Sequence, residues 1–295
     1  MLNLLKSDLY RLAHGKMIWI CSAIVACAML LNIGMSWLIT TDAFRTLVEQ
    51  SASTSQATRG DFAIMVGGSD VNPDQLDSLA ENALTMPGMT NLVAASISGG
   101  FLTMMIGLFT ALFLLSDFET GFVKGVLSAR RRKTVYYLEK TVVIALVSLV
   151  FFLLSIASAA IGGAIAGFTF TDPETAGAFL LWSGLAWLIV FTYGCITACV
   201  TWITRSKAAG VVTAVAVAGS VLESIIFSIG GGLFKGVSII ADALSWLPLS
   251  SLSLTAQGSS ILSTSETWGH VLITGLVCVL AFSAISLSAT RKKDI

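Results

Sequence analysis

Long apolar runs separated by short polar stretches make up most of this chain. A helix needs about 20 apolar residues to cross about 30 Å of hydrocarbon. Six runs are long enough, and all four prolines fall between them, where a broken helix costs little. The pattern therefore predicts an all-α, polytopic membrane protein with six transmembrane helices, at residues 17–39, 92–116, 141–168, 177–203, 208–229 and 268–290.

The stretch before the first span, residues 1–16, has the pattern of an amphipathic helix lying flat among lipid headgroups. Its leucines share one helical face and its charged residues lie off that face; the leucines are Leu2, Leu5, Leu9 and Leu12, and the charged residues are Lys6, Asp8 and Arg11. The alternative is a polar tail without structure. The first apolar run is too long for the core of a signal peptide, so we expect a retained span.

The distribution of Lys and Arg predicts the orientation of the spans. Fourteen of the 17 fall at one set of helix ends, together with both termini, including the tail at 291–295. The other side keeps three, which are Arg45, Arg59 and Lys235. By the positive-inside rule, the fourteen cations and both termini are cytoplasmic.

Two long loops are then predicted on the outer side. The loop at 40–91 is acidic and interrupted by two prolines, and it looks like a small cap rather than a domain. The stretch at 230–267 is too apolar for a solvated loop, so we expect re-entrant or interfacial helices there. Glu223 is the single carboxylate inside an apolar run and is a candidate intramembrane polar site. Snorkelling to the outer headgroups, or pairing with Lys235, explains it at lower cost.

Composition agrees with a membrane protein and argues against several other classes. Only 12% of the residues are charged, where soluble domains carry about 25%, and the mean hydropathy is +0.86. The five cysteines all lie in apolar runs, which supports neither a disulfide nor a zinc site. The sequence has no phosphate-binding GxxxxGK[ST] loop and no HExxH pair. We therefore expect no enzyme active site, no metal site, no cofactor bound by this chain and no nucleic-acid partner.

The segment at 117–140 carries the strongest functional signal. Phe118, Phe122 and Val126 recur every fourth residue and form an apolar stripe, which four consecutive cations follow at 130–133. A partner with a hydrophobic groove could bind this stripe and pull on the flanking spans. Alternatively, the stripe rests on lipid headgroups and the cations only fix the orientation.

Over nearly its whole length the chain resembles the permease subunits of bacterial type-2 ABC exporters, which include drug, bacteriocin-immunity and peptide-toxin transporters. The resemblance consists of the amphipathic N-terminus, six spans, an acidic D-x-E-x-G element that closes the second span, and the LSWLPLSSL stretch before the last span. It implies that the segment is the coupling helix that docks on the ATPase subunit. The docking residues so implied are Asp117, Phe118, Glu119, Gly121, Phe122, Lys124, Gly125, Val126, Arg130, Arg131 and Arg132.

The resemblance also implies the partners and the location. Two permeases, identical or paired with a related one, would sit in the bacterial plasma membrane on two cytoplasmic ATPases, which would bind the ATP and Mg. An apolar or amphipathic cargo is expected. Two alternatives remain open: an ion-coupled secondary transporter, which needs titratable groups near the bilayer midplane, and a non-transporting membrane sensor or immunity protein whose acidic outer loop binds a peptide.

Overall fold

The computed structural model describes residues 2–41, 46, 84–119, 133–172, 174–217, 221, 224–226, 228–229 and 245–292. Within this part of the chain, nine α-helices, one 3₁₀-helix and two short strands are defined. The helices are α1 (Leu2–His14), α2 (Lys16–Ile39), α3 (Met89–Ser98), α4 (Phe101–Glu119), α5 (Lys133–Ala166), α6 (Ala176–Thr204), α7 (Lys207–Ala216), α8 (Pro248–Thr255) and α9 (Ser265–Lys292). The 3₁₀-helix is Gly258–Ser263, and the strands are β1 (Thr85–Met86) and β2 (Thr169–Phe170).

Five of these helices, α2, α4, α5, α6 and α9, are long and apolar enough to cross a membrane. This confirms the prediction of an all-helical, polytopic membrane protein. The span predicted at 208–229 is described only in part: α7 covers its first half, and residues 218–220, 222–223 and 227 lie outside the described residues. The predicted loop at 40–91 also lies largely outside them, and so do residues 230–244 of the stretch at 230–267. The described part of the latter stretch contains α8 and the 3₁₀-helix.

The run predicted as one span at 92–116 is two helices in the structure. α3 ends at Ser98 and α4 begins at Phe101, with Gly99 and Gly100 between them. Gly100 has a φ of 66°, a left-handed conformation that glycine adopts without a steric penalty. The apolar pattern alone does not reveal this break, because hydrophobicity is continuous across the two glycines.

α5 begins at Lys133, eight residues before the predicted span at 141–168. The polar residues of its first two turns therefore belong to the same rigid helix as the apolar run.

Helix α6 lies at the centre of the bundle, where it packs against α4, α5, α7 and α9. Glycines make these close approaches possible. A Cβ on Gly194 would lie 2.9 Å from Ile144 Cγ2 and 3.1 Å from Ile106 Cγ2. A Cβ on Gly210 of α7 would lie 3.0 Å from Ala111 of α4. Small residues at helix crossings let backbones approach closely.

Substituting Gly194 by Leu is expected to destabilise the bundle by about 1–3 kcal/mol, because the new side chain must displace Ile144 and Ile106 in a packed core. The measurement is the thermal unfolding midpoint of the purified protein. The matched control is Gly184→Leu on the same helix, where an added Cβ meets no atom within 4 Å. Equal midpoints for the two variants would contradict this packing.

The two ends of the bundle carry different polar contacts, and we name them by their central residues. At the Glu174 end, the Glu174 carboxylate accepts hydrogen bonds from Thr90 Oγ1, from Thr90 N at 3.2 Å and from Ser259 Oγ at 2.7 Å. The parallel pair β1 and β2 lies at the same end. These contacts fix α3, the 3₁₀-helix and the start of α6 to one another. The Lys140 end holds the functional candidates.

A buried ion-pair cluster next to the predicted docking segment

The middle of α1, the last turn of α4 and the first turns of α5 meet at the Lys140 end of the bundle. α1 lies against the first turns of α5, and the last turn of α4 lies beside them. The chain that leaves α4 at Glu119 returns at Lys133, so both ends of the predicted docking segment are anchored here. Residues 120–132 themselves lie outside the described residues.

Lys140 is the centre of this cluster. Its Nζ donates to Asp8 of α1 and lies 2.5 Å from Asp117 Oδ2 of α4. All three side chains are at most 2% exposed. The ammonium also lies 4.6 Å from the centroid of the Phe113 ring, an additional favourable contact for a cation. Buried charges are rarely found without partners. Because the two partners of Lys140 come from α1 and α4, this one lysine of α5 joins three separate helices.

Arg11 and Tyr136 complete the contacts of the two aspartates. Arg11 lies 3.3 Å from Asp8 Oδ1 on its own helix and 3.0 Å from Asp117 Oδ1. The Tyr136 hydroxyl donates to Asp117 Oδ2 at 2.9 Å. Asp117 stands in the last turn of α4, where the helix dipole disfavours an anion, so the two cations and the Tyr136 hydroxyl offset an otherwise unfavourable position.

Glu139 adds a third carboxylate to the cluster. It is 1% exposed and lies beside Asp8, and neither of its oxygens makes a hydrogen bond of acceptable geometry to any described residue. Among the described residues of this cluster, three carboxylates and two cations leave one excess negative charge. The consequences of this excess are considered below.

The orientation of α1 differs from the one predicted. The sequence pattern places Asp8 off the apolar face, with Leu9 on it. In the structure Asp8 is 1% exposed and faces α5 with Leu12, whereas Leu9 is 40% exposed. The ion pair with Lys140 holds the Asp8 side of α1 against α5, where an unpaired lysine would be costly.

An aromatic cluster lies next to the ion pairs. Trp202, near the end of α6, is 4% exposed. Its ring lies 5.3 Å from that of Phe118, 5.7 Å from that of Tyr136 and 5.9 Å from that of Tyr137, each at a steep angle. Edge-to-face aromatic pairs of this kind add to the energy of burial. The cluster fastens α6 to both ends of the predicted docking segment.

Three of the eleven predicted docking residues lie in the described part of the chain. Asp117 is buried in the ion-pair cluster, and Phe118 is half-buried against Trp202. Glu119 is 54% exposed and lies 2.6 Å from Lys207 of α7. The other eight lie outside the described residues: Gly121, Phe122, Lys124, Gly125, Val126, Arg130, Arg131 and Arg132. The candidate polar site at Glu223 lies outside them as well.

Asp8, Glu139 and Trp202 were not predicted as site residues, and Lys140 was predicted only as a cation that sets the orientation. A signal was present in the sequence: Asp8 and Glu139 are carboxylates that precede the first and the third apolar run closely. Nothing in the sequence pairs residue 8 with residue 140, since this contact joins positions 132 residues apart.

Metal binding has no support in the described part of the chain, which contains no group of three or more His, Cys, Asp or Glu side chains arranged to hold an ion. All five cysteines are free thiols, and Cys21, Cys195 and Cys199 are buried.

No protein-family model matches this chain, and no curated protein matches its sequence. A functional proposal therefore depends on the residues themselves. Ion pairs and edge-to-face aromatic rings hold α1, α4, α5 and α6 together where the cation-rich segment leaves and re-enters the bundle.

Proposed function

We propose that this chain is the membrane-spanning permease subunit of an ATP-driven ABC exporter, and that residues 117–132 form the helix on which a cytoplasmic ATPase docks. The observation that carries the proposal is the fixed attachment of both ends of this segment to the bundle through Asp117, Phe118 and Lys140. A partner that pulled on the segment would move α4 and α5 together, since Lys140 connects them.

The remaining features of the proposal follow the pattern of charges and apolar runs. We place six spans in a bacterial plasma membrane: the five long apolar helices and one more at residues 208–229. The Lys140 end and both termini lie in the cytoplasm. Two permeases, identical or related, would enclose the path for an apolar or amphipathic cargo. The energy would come from the partner, because the sequence contains no phosphate-binding loop.

An ion-coupled secondary transporter has less support. Such proteins place titratable groups near the bilayer midplane. The buried carboxylates described here, Asp8, Asp117 and Glu139, instead cluster at one end of the bundle.

Phe122→Asp is expected to abolish co-purification with the ATPase while leaving membrane insertion intact, because a charge would interrupt the apolar stripe that the partner binds. The full chain is purified from its host in mild detergent, and mass spectrometry scores a co-purifying ATPase with a Walker A motif. Glu119→Lys is expected to weaken the association in the same way by reversing an exposed charge.

The matched control is Phe170→Asp, which introduces the same change at the Glu174 end, where Phe170 is 45% exposed. This variant is expected to retain the ATPase. Undiminished ATPase with Phe122→Asp, or no such ATPase with the wild-type chain, would overturn the proposal.

A further inference from the structure

Glu139 occupies a position that an ionised carboxylate does not tolerate without partners. The residue is 1% exposed, and both of its oxygens lack hydrogen-bond partners among the described residues. Buried polar atoms in native proteins nearly always have partners, and a group that cannot find them changes its protonation state instead.

The charged groups around Glu139 do not supply the missing partner. The negative charges of Asp8 in α1 and Asp117 in α4 repel an ionised Glu139 carboxylate, and the positive charge of Lys140 on its own helix attracts it. The Lys140 ammonium forms ion pairs with both aspartates, and the Arg11 guanidinium forms ion pairs with the same two carboxylates. The Tyr136 hydroxyl donates to Asp117. Glu139 is thus left as the excess acid of the cluster.

We propose that Glu139 is a proton-binding site, and that the bound proton controls the attachment of the N-terminal helix α1 to α5. A proton on Glu139 removes the excess charge and leaves the carboxylic acid able to donate to Asp8, which lies beside it. A metal ion fits poorly, because the Lys140 ammonium already occupies the space among the carboxylates and repels a second cation. This inference is independent of the proposed transport function.

Loss of the proton would place a second negative charge beside Asp8 in a buried cluster. Like charges at close range repel strongly where water is excluded. The repulsion acts between α5 and α1, and α1 is the shorter helix and contributes fewer buried apolar side chains. Deprotonation is therefore expected to loosen α1, while α5 stays in the bundle.

The direction of the pH dependence follows from which state binds the proton. In the unfolded chain a glutamate has a pKa of about 4.3. If the folded chain keeps that proton to higher pH, it binds more protons than the unfolded chain, so stability falls as pH rises through the folded-state titration.

Infrared spectroscopy of the full chain in lipid nanodiscs tests the proposal. The wild-type protein is expected to show the carbonyl stretch of a protonated carboxylic acid at about pH 6, and to lose it as the pH is raised to about 9. Glu139→Gln is expected to lack this band at every pH. Glu119→Gln, which removes an exposed carboxylate, and Glu223→Gln, which removes the carboxylate of an apolar run, are expected to keep it.

A second readout reports on α1. Thermal unfolding of the wild-type protein is expected to shift to lower temperature between about pH 6 and about pH 9, and Glu139→Gln is expected to lose most of that shift. Should Glu139→Gln not fold, the wild-type spectrum still decides, since a chain without any protonated carboxyl band at about pH 6 has no such site. A band that persists in Glu139→Gln, with the wild-type pH dependence, would also overturn the proposal.

Discussion

Replacing Lys140 by Met is expected to destabilise the protein by about 3–5 kcal/mol. Methionine fills nearly the same volume, so the loss is electrostatic rather than steric. Without the ammonium, Asp8 and Asp117 lose the donor that they share, although both remain at most 2% exposed. The measurement is chemical unfolding of the purified chain, with α1 protection from proteolysis as a local readout.

Two further variants separate the buried pairs from a general effect of charge. Lys207→Met removes an exposed partner of Glu119 and is expected to cost less than about 1 kcal/mol. The triple variant Asp8→Asn, Lys140→Met, Asp117→Asn removes the charges together and is expected to recover much of the loss, because no buried ion is left without its partner. Equal losses for Lys140→Met and Lys207→Met would show that the cluster contributes no more than a surface ion pair.

The membrane class of this protein was predictable from sequence because it depends on local hydrophobicity. A run such as 177–203 must be helical in lipid, where every backbone polar group needs an internal partner, and the structure places α6 at Ala176–Thr204. The same criterion does not reveal a break inside a run. Gly99 and Gly100 interrupt the second span although the residues on both sides are apolar.

The candidate site was predictable only where its signal was local. The D-x-E-x-G element drew attention to Asp117, but it suggested a residue available to a partner, and the structure buries that residue between Lys140, Arg11 and Tyr136. The burial of Asp8 against α5 was not predicted either, for a related reason. Periodicity weighs each leucine equally, whereas the observed face depends on one long-range pair between Asp8 and Lys140.

Trp202→Ala is expected to cost about 3–5 kcal/mol, because it removes a large buried ring from contact with three other aromatic rings. The effect should also be local. Phe118 lies in the last turn of α4 and Tyr136 in the first turn of α5. Both ends of the 117–132 segment therefore lose their contact with α6. Unfolding in detergent measures the first effect, and the rate of proteolysis within 120–132 measures the second.

Two variants with tryptophan changes make this prediction specific. Trp37→Ala removes a ring that is 49% exposed on α2 and is expected to cost much less. Trp202→Phe keeps an aromatic ring in the cluster and loses an indole nitrogen that has no hydrogen-bond partner among the described residues. The loss of stability is therefore expected to be less than half of the loss in Trp202→Ala. If Trp202→Phe were as damaging as Trp202→Ala, ring packing would not be what holds α6 to the two ends of the segment. If instead Trp202→Ala left cleavage within 120–132 unchanged, the ion pairs around Lys140 would be sufficient to anchor the segment without the aromatic cluster.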